Sequence, residues 1–193
     1  MIGTFAGVTQ SRLPTGVWHQ TYSGVNSCTQ FPALSSRQCN FTSESFTVAV
    51  WIFLPNSVSA NYVILQGATD VDGWGMFIFA NNLSLRLNQA AGHTDISAVN
   101  GIAFGRWQLI GVTRAGNTGQ FYNNGAPITT IGGGGLANAV SCNGGNKLLL
   151  GIDNDETSNE ITGFMQGHRI IRKSLSDEEM AKMFESERRL FGV

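Results

Sequence analysis

Apolar and polar positions alternate along most of this chain, and the period is two rather than 3.6. Leu83-Ser84-Leu85-Arg86-Leu87-Asn88 is the clearest case: its leucines face one way and its polar residues the other. Phe46–Phe53 (FTVAVWIF) is apolar at every second position and nearly so at the others, which predicts a strand covered on both faces. Similar short runs predict strands at Trp18–Tyr22, Tyr62–Gln66, Trp74–Ala80, Trp107–Arg114, Gly119–Asn123, Lys147–Ile152 and Gly163–Ile171. Thr4–Val8 and Asp95–Val99 are weaker strand segments. Asn124-Gly125 is a two-residue hairpin turn, since both residue types tolerate positive φ.

Only the C-terminal segment keeps helical spacing. Ser176 and Glu179 form a capping box, and Met180, Met183, Phe184, Glu187, Leu190 and Phe191 line one side, which predicts a helix over 176–190. These elements together predict an all-β, antiparallel jelly-roll β-sandwich with one short C-terminal helix. Residues 43–193 carry the sandwich. Residues 1–42 read as an irregular N-terminal arm, or as extra strands packed on the sandwich.

Composition narrows the function. Charged residues make up 13% of the 193 and the formal net charge is −1, so a phosphate-binding surface for nucleic acid is excluded. No run approaches the length of a membrane span, so no membrane insertion is expected. The N-terminus reads without an export signal, which points to synthesis in a cytoplasm. Cys28, Cys39 and Cys142 match no zinc spacing and are expected as unpaired thiols, a Cys28–Cys39 bridge being open in an oxidising compartment. Gly132–Gly135 lacks the Lys-Ser/Thr of a phosphate loop and reads as a flexible hairpin tip.

Several motifs, in order, resemble laminin-G-like domains of the concanavalin A-like jelly-roll group. These are Ser45–Trp51, Gly73-Trp74-Gly75-Met76, Gly105–Gly125 and Gly163–Glu179, and the resemblance covers roughly residues 43–184. Leu150–Asp155 (LGIDND) also resembles the calcium loop of pentraxins. That resemblance implies Asp153, Asn154 and Asp155 as calcium ligands, with Glu160 as a further carboxylate. The fold it implies hosts lectins, adhesion modules, hydrolases and passive structural domains.

Two acidic clusters stand at strand ends: Asp70-Val71-Asp72-Gly73, and Asp153-Asn154-Asp155-Glu156 with Glu160. If the fold joins these loops, their oxygens suit Ca2+. The competing reading is turn capping, in which Asp and Asn accept from nearby backbone amides. No strand carries the Glu-x-Asp-x-x-Glu pattern of jelly-roll glucanases, so no enzymatic activity is expected. Among the four tryptophans, Trp51 and Trp107 belong to core strands, whereas Trp74, at a loop edge beside Asp70 and Asp72, is the sugar-contact candidate; Tyr62 and Tyr122 follow.

The expected function is a binding or assembly module: a virion structural protein of a phage or virus, partnered by a capsid or tail protein or by a surface glycan, and displayed on the virion surface. The alternative is a calcium-dependent, extracellular lectin. Self-association into a homo-oligomer is compatible with both.

Overall fold

The computed structural model describes residues 4–32, 37–57, 60–131, 135–143 and 146–193. Among the described residues fifteen strands form: β1 (Thr4–Ala6), β2 (Val8–Arg12), β3 (Trp18–Ser23), β4 (Cys28–Phe31), β5 (Phe46–Phe53), β6 (Ala60–Ala68), β7 (Asp72–Phe79) and β8 (Asn82–Gln89), followed by β9 (Gly92–Ala98), β10 (Trp107–Ala115), β11 (Thr118–Asn123), β12 (Ala126–Ile128), β13 (Thr130–Ile131), β14 (Leu148–Leu150) and β15 (Thr162–Ile171). One α-helix among those residues, α1 (Asp177–Phe191), follows β15, and a short 3-10 turn spans Arg37–Cys39.

The strands build two antiparallel sheets. One has eight strands in the order β1-β4-β14-β6-β7-β8-β9-β13; the other has seven, β12-β11-β10-β5-β15-β3-β2. The fold is the jelly-roll sandwich expected from the alternation. The core between the sheets takes Phe46, Val48, Val50 and Ile52 from β5, Trp74, Met76 and Ile78 from β7, and Leu83, Leu85 and Leu87 from β8. These are alternate residues of each strand, as period-two patterning requires.

β5 is covered on both faces, and the reason is α1. Ala49 and Trp51 point away from the sandwich core and join Trp107, Leu109 and Tyr122 against Met180 and Phe191 of the helix. The Trp51 ring stacks on Phe191 with centroids 4.1 Å apart. Ser176 caps α1 through the reciprocal box with Glu179, and Gly192 ends it in the left-handed conformation.

The N-terminal strands extend both sheets. β1 and β4 stand at one edge of the eight-stranded sheet, and β2 and β3 at one edge of the seven-stranded sheet. The chain changes sheet at Gly7, with φ +57°, where a Cβ would lie 2.7 Å from the Asn26 carbonyl oxygen. The sequence pattern missed β4, whose four residues (CTQF) carry no clean alternation. Cys28, Cys39 and Cys142 are free thiols. Gly132, Gly133 and Gly134 of the expected hairpin tip lie outside the described residues.

Candidate functional site

The outer face of the eight-stranded sheet carries a connected set of polar side chains. It arises from register. Arg86 of β8 lies opposite Asp95 of β9, and Asn88 lies opposite His93. Outward positions on these strands therefore bring a cation, a carboxylate and an imidazole together.

Arg86 donates to both oxygens of Asp95, from Nε at 3.0 Å and from Nη2 at 2.8 Å. Burial is the largest single influence and works against the Arg86 charge, but the hydrogen bonds to Asp95, together with the electrostatic influence of Tyr62, Asp95 and Asp70, outweigh it and leave its pKa raised. The same guanidinium lies 4.8 Å from the centre of the Phe77 ring. His93 Nε2 stands 3.5 Å from Asp95, and its Nδ1 contacts Asp70.

A second branch runs from Arg86 to the loops. Arg86 Nη1 donates to Tyr62 Oη at 3.5 Å, Tyr62 Oη lies 3.0 Å from Thr69 Oγ1, and Thr69 Oγ1 donates to Asp153 Oδ1 at 3.1 Å. Thr69 has one hydroxyl proton, which goes to Asp153, so Tyr62 is the donor to Thr69. Burial raises the Tyr62 pKa, which keeps that donor proton in place. Because Thr69 and Asp70 are chain neighbours, the two branches close into a ring: Asp70, His93, Asp95, Arg86, Tyr62 and Thr69. Its Asp70 and His93 side chains stay accessible, at 53% and 34% exposure.

The two acidic loops do meet, through Thr69. Its amide donates to Asn154 Oδ1 at 3.2 Å while its hydroxyl reaches Asp153. Within the loops the oxygens follow the turn-capping pattern. Asp72 accepts from the amides of Ala68 and Asn143 and, on both oxygens, from Asn146 Nδ2 at 2.7 and 2.9 Å. Asp153 also accepts from its neighbour Asn154 N and from Asn159 Nδ2. Asp155 caps the amides of Thr157 and Ser158, and its carboxyl is held below its ordinary value by the Ser158 hydroxyl first and by these amides after it. Glu160 accepts from Asn26 N at 2.8 Å, in the N-terminal region rather than in the Asp153 loop. Among the described residues, no three His, Cys, Asp or Glu side chains gather closely enough to hold a metal ion.

The aromatic candidates need correction. Trp74 is fully buried: with Met76 and Ile78 it points into the core, and its Nε1 donates to the Cys39 carbonyl at 2.7 Å. It has no ring face to offer a sugar. Tyr62 is 4% exposed and packs on Leu65 and Phe77, so it enters the polar ring as a relay rather than as a stacking surface. Tyr122 is 2% exposed beneath α1, its hydroxyl donating to Asp177 at 2.7 Å. The accessible tryptophan is Trp18, at 56%, with the Arg12 guanidinium 5.9 Å from its ring centre. Arg12 and Trp18 are cross-strand partners at the edge of the seven-stranded sheet, a pairing that depends on the Pro14–Gly16 turn.

The chain matches the Laminin_G_3 family, described as the concanavalin A-like lectin/glucanases superfamily, over residues 23–181. None of the curated proteins matches it. Solved structures of the same fold include the botulinum neurotoxin serotype G binding domain (14% identity, TM-score 0.73) and the binding domain of botulinum neurotoxin DC in complex with SialylT (17%, 0.68). Another is described as "Cell entry of botulinum neurotoxin type C is dependent upon interaction with two ganglioside molecules" (20%, 0.67). In each case 96% of this chain covers 46% of the other, so it spans about half their length. At these identities the likeness is one of fold. The match to the family itself spans most of the sandwich, from the end of β3 into α1, and on that ground the chain belongs to the laminin-G-like branch of the concanavalin A-like lectin/glucanase superfamily.

Proposed function

We propose that the chain is a non-enzymatic carbohydrate-binding module, and that it takes its glycan on the outer face of the eight-stranded sheet around Asp70, His93, Asp95 and Arg86. One observation carries this reading: a ring of side chains joined by hydrogen bonds, ion pairs and the Thr69–Asp70 chain link, whose accessible members, Asp70 and His93, offer a carboxylate and an imidazole backed by Asp95 and Arg86. Adjacent sugar hydroxyls are both donors and acceptors, and they are recognised by such groups when these are held rigid by partners of their own. The lectin-type fold and the glycans named with the neurotoxin structures support the class of ligand.

The test is a glycan array of the purified chain beside the His93→Ala and Asp70→Asn variants. Hits on the wild type that are lost in both variants are expected. A blank array, or hits that both variants retain, would overturn the placement. Release of reducing ends from any bound glycan would overturn the non-enzymatic part. Display on a virion, with a capsid or tail protein as partner, is a separate proposal from the sequence; its test is whether the chain copurifies with intact particles.

A further inference from the structure

Where β4, β14 and β6 lie over β15, they leave a cleft of about 380 Å³. Phe31, Ile64, Leu148 and Leu150 form the wall contributed by the eight-stranded sheet. His168 and Ile170 of β15 form the opposite wall, while Gln38, Cys39 and the exposed Arg172 complete the lining.

His168 is in this wall because β15 is bulged. Gln166 pairs with Trp51 and Arg169 with Ala49, so Gly167 and His168 together stand opposite the single residue Val50. A bulge of this kind bends the strand and re-aims the extra side chain. The His168 Nε2 atom is shut off from solvent and finds no hydrogen-bond partner among the described residues. Such a group costs stability and calls for an explanation.

We propose that this cleft binds a small, uncharged, largely apolar molecule carrying one hydroxyl or carbonyl group, with its apolar body between the sheets and its polar group on His168. The volume lies within the ~300–1,000 Å³ range of ligand pockets and is more than twice the ~150 Å³ that accommodates benzene. The absence of charge follows from the lining. Among the described residues Arg172 is its one charged lining residue, and that guanidinium is already engaged by Glu44 at 3.2 Å and by the Gln38 carbonyl at 2.8 Å. Burial, with Arg169 nearby, pushes the His168 pKa down to about 4, so at neutral pH the imidazole offers no cation to an acid. This site is on another part of the molecule from the polar ring and stands or falls independently of glycan binding.

The experiment is a methyl NMR titration of the full chain with 2-naphthol, naphthalene and 2-naphthoate. Saturable shifts are expected at Ile64, Leu148, Leu150 and Ile170, with 2-naphthol binding most tightly and 2-naphthoate most weakly. His168→Leu is expected to weaken 2-naphthol about tenfold, the worth of one hydrogen bond, and to leave naphthalene unchanged. Because it removes an unpartnered polar atom, this variant should fold, and a thermal melt checks that it does. If it does not, the wild-type preference for 2-naphthol over naphthalene decides instead. No shift at these methyls with any probe would overturn the site. Equal or tighter binding of 2-naphthoate, or no preference for 2-naphthol, would overturn the assigned chemistry.

Discussion

Trp51 Nε1 donates a 2.7 Å hydrogen bond to Glu187 Oε2, and this bond pins α1 to the seven-stranded sheet. Trp51 is fully buried, so its N–H has no access to water if Glu187 is removed. Arg169 bonds the other carboxylate oxygen and would lose its partner too. Glu187→Ala is therefore expected to cost about 1–3 kcal/mol, the penalty for stranding a buried donor. Urea unfolding followed by tryptophan fluorescence measures it. A change within about 0.5 kcal/mol would mean the helix is held by its remaining contacts, the Trp51–Phe191 stack among them, and not by this bond.

Gly73 is the second residue of β7, opposite Gly67 of β6, just past the loop that holds Asp70. Its φ is +76°, and a Cβ would fall 1.8 Å from the Gln66 carbonyl oxygen. The clash is with backbone, which cannot rotate away. Gly73→Ala is expected to destabilise the fold by more than about 2 kcal/mol and to abolish glycan hits, because Asp70 sits three residues earlier. A variant that melts like the wild type would contradict the backbone geometry of this loop.

The carboxylates of the two acidic loops make a sharp case. Asp72, Asp153 and Asp155 are each engaged by two or more protein donors, so an ion would have to displace those bonds. Added calcium is expected to leave the melting temperature unchanged, and EDTA is expected to leave the glycan hits unchanged. A calcium-dependent rise in melting temperature would show that these loops rearrange around an ion, since a ligand that binds only the folded state must raise stability.

What the sequence made legible was whatever depends on one strand or one helix at a time. β5 shows its two-sided burial in its own eight residues, and α1 shows its cap in Ser176 and Glu179. The polar ring was not legible, because it depends on register between strands. Arg86 meets Asp95 only if β8 and β9 turn at Ala90-Ala91, and those residues carry no turn signal. Trp74 misled for a related reason. Beside Asp70 and Asp72 it reads as the first residue of its strand, at a loop edge, but β7 begins at Asp72 and its alternation sends Trp74 inward with Met76 and Ile78. The acidic loops could be paired from sequence only as a condition; Thr69, which joins them, has no motif of its own.

Acid should weaken the junction between the N-terminal region and β5. The Glu44 carboxylate accepts from the amides of Thr42 and Ser43 and from the Thr42 hydroxyl, and it pairs with Arg172. The Thr42 amide is the foremost of the contacts that hold its pKa below the ordinary glutamate value. A carboxyl whose folded pKa is depressed binds fewer protons in the folded than in the unfolded state. It contributes stability at pH values above the unfolded pKa, and that contribution is lost as pH falls through the folded one. Glu44→Gln is thus expected to be less stable than the wild type at neutral pH, with the gap shrinking and closing as the solution is taken below the pKa of an ordinary glutamate. Glu44 is partly exposed, so salt should narrow the Arg172 share of the gap and leave the amide share in place. Parallel urea titrations of the two proteins across this pH range measure the difference, and a gap that persists unchanged into acid would show that Glu44 acts through packing rather than through its charge.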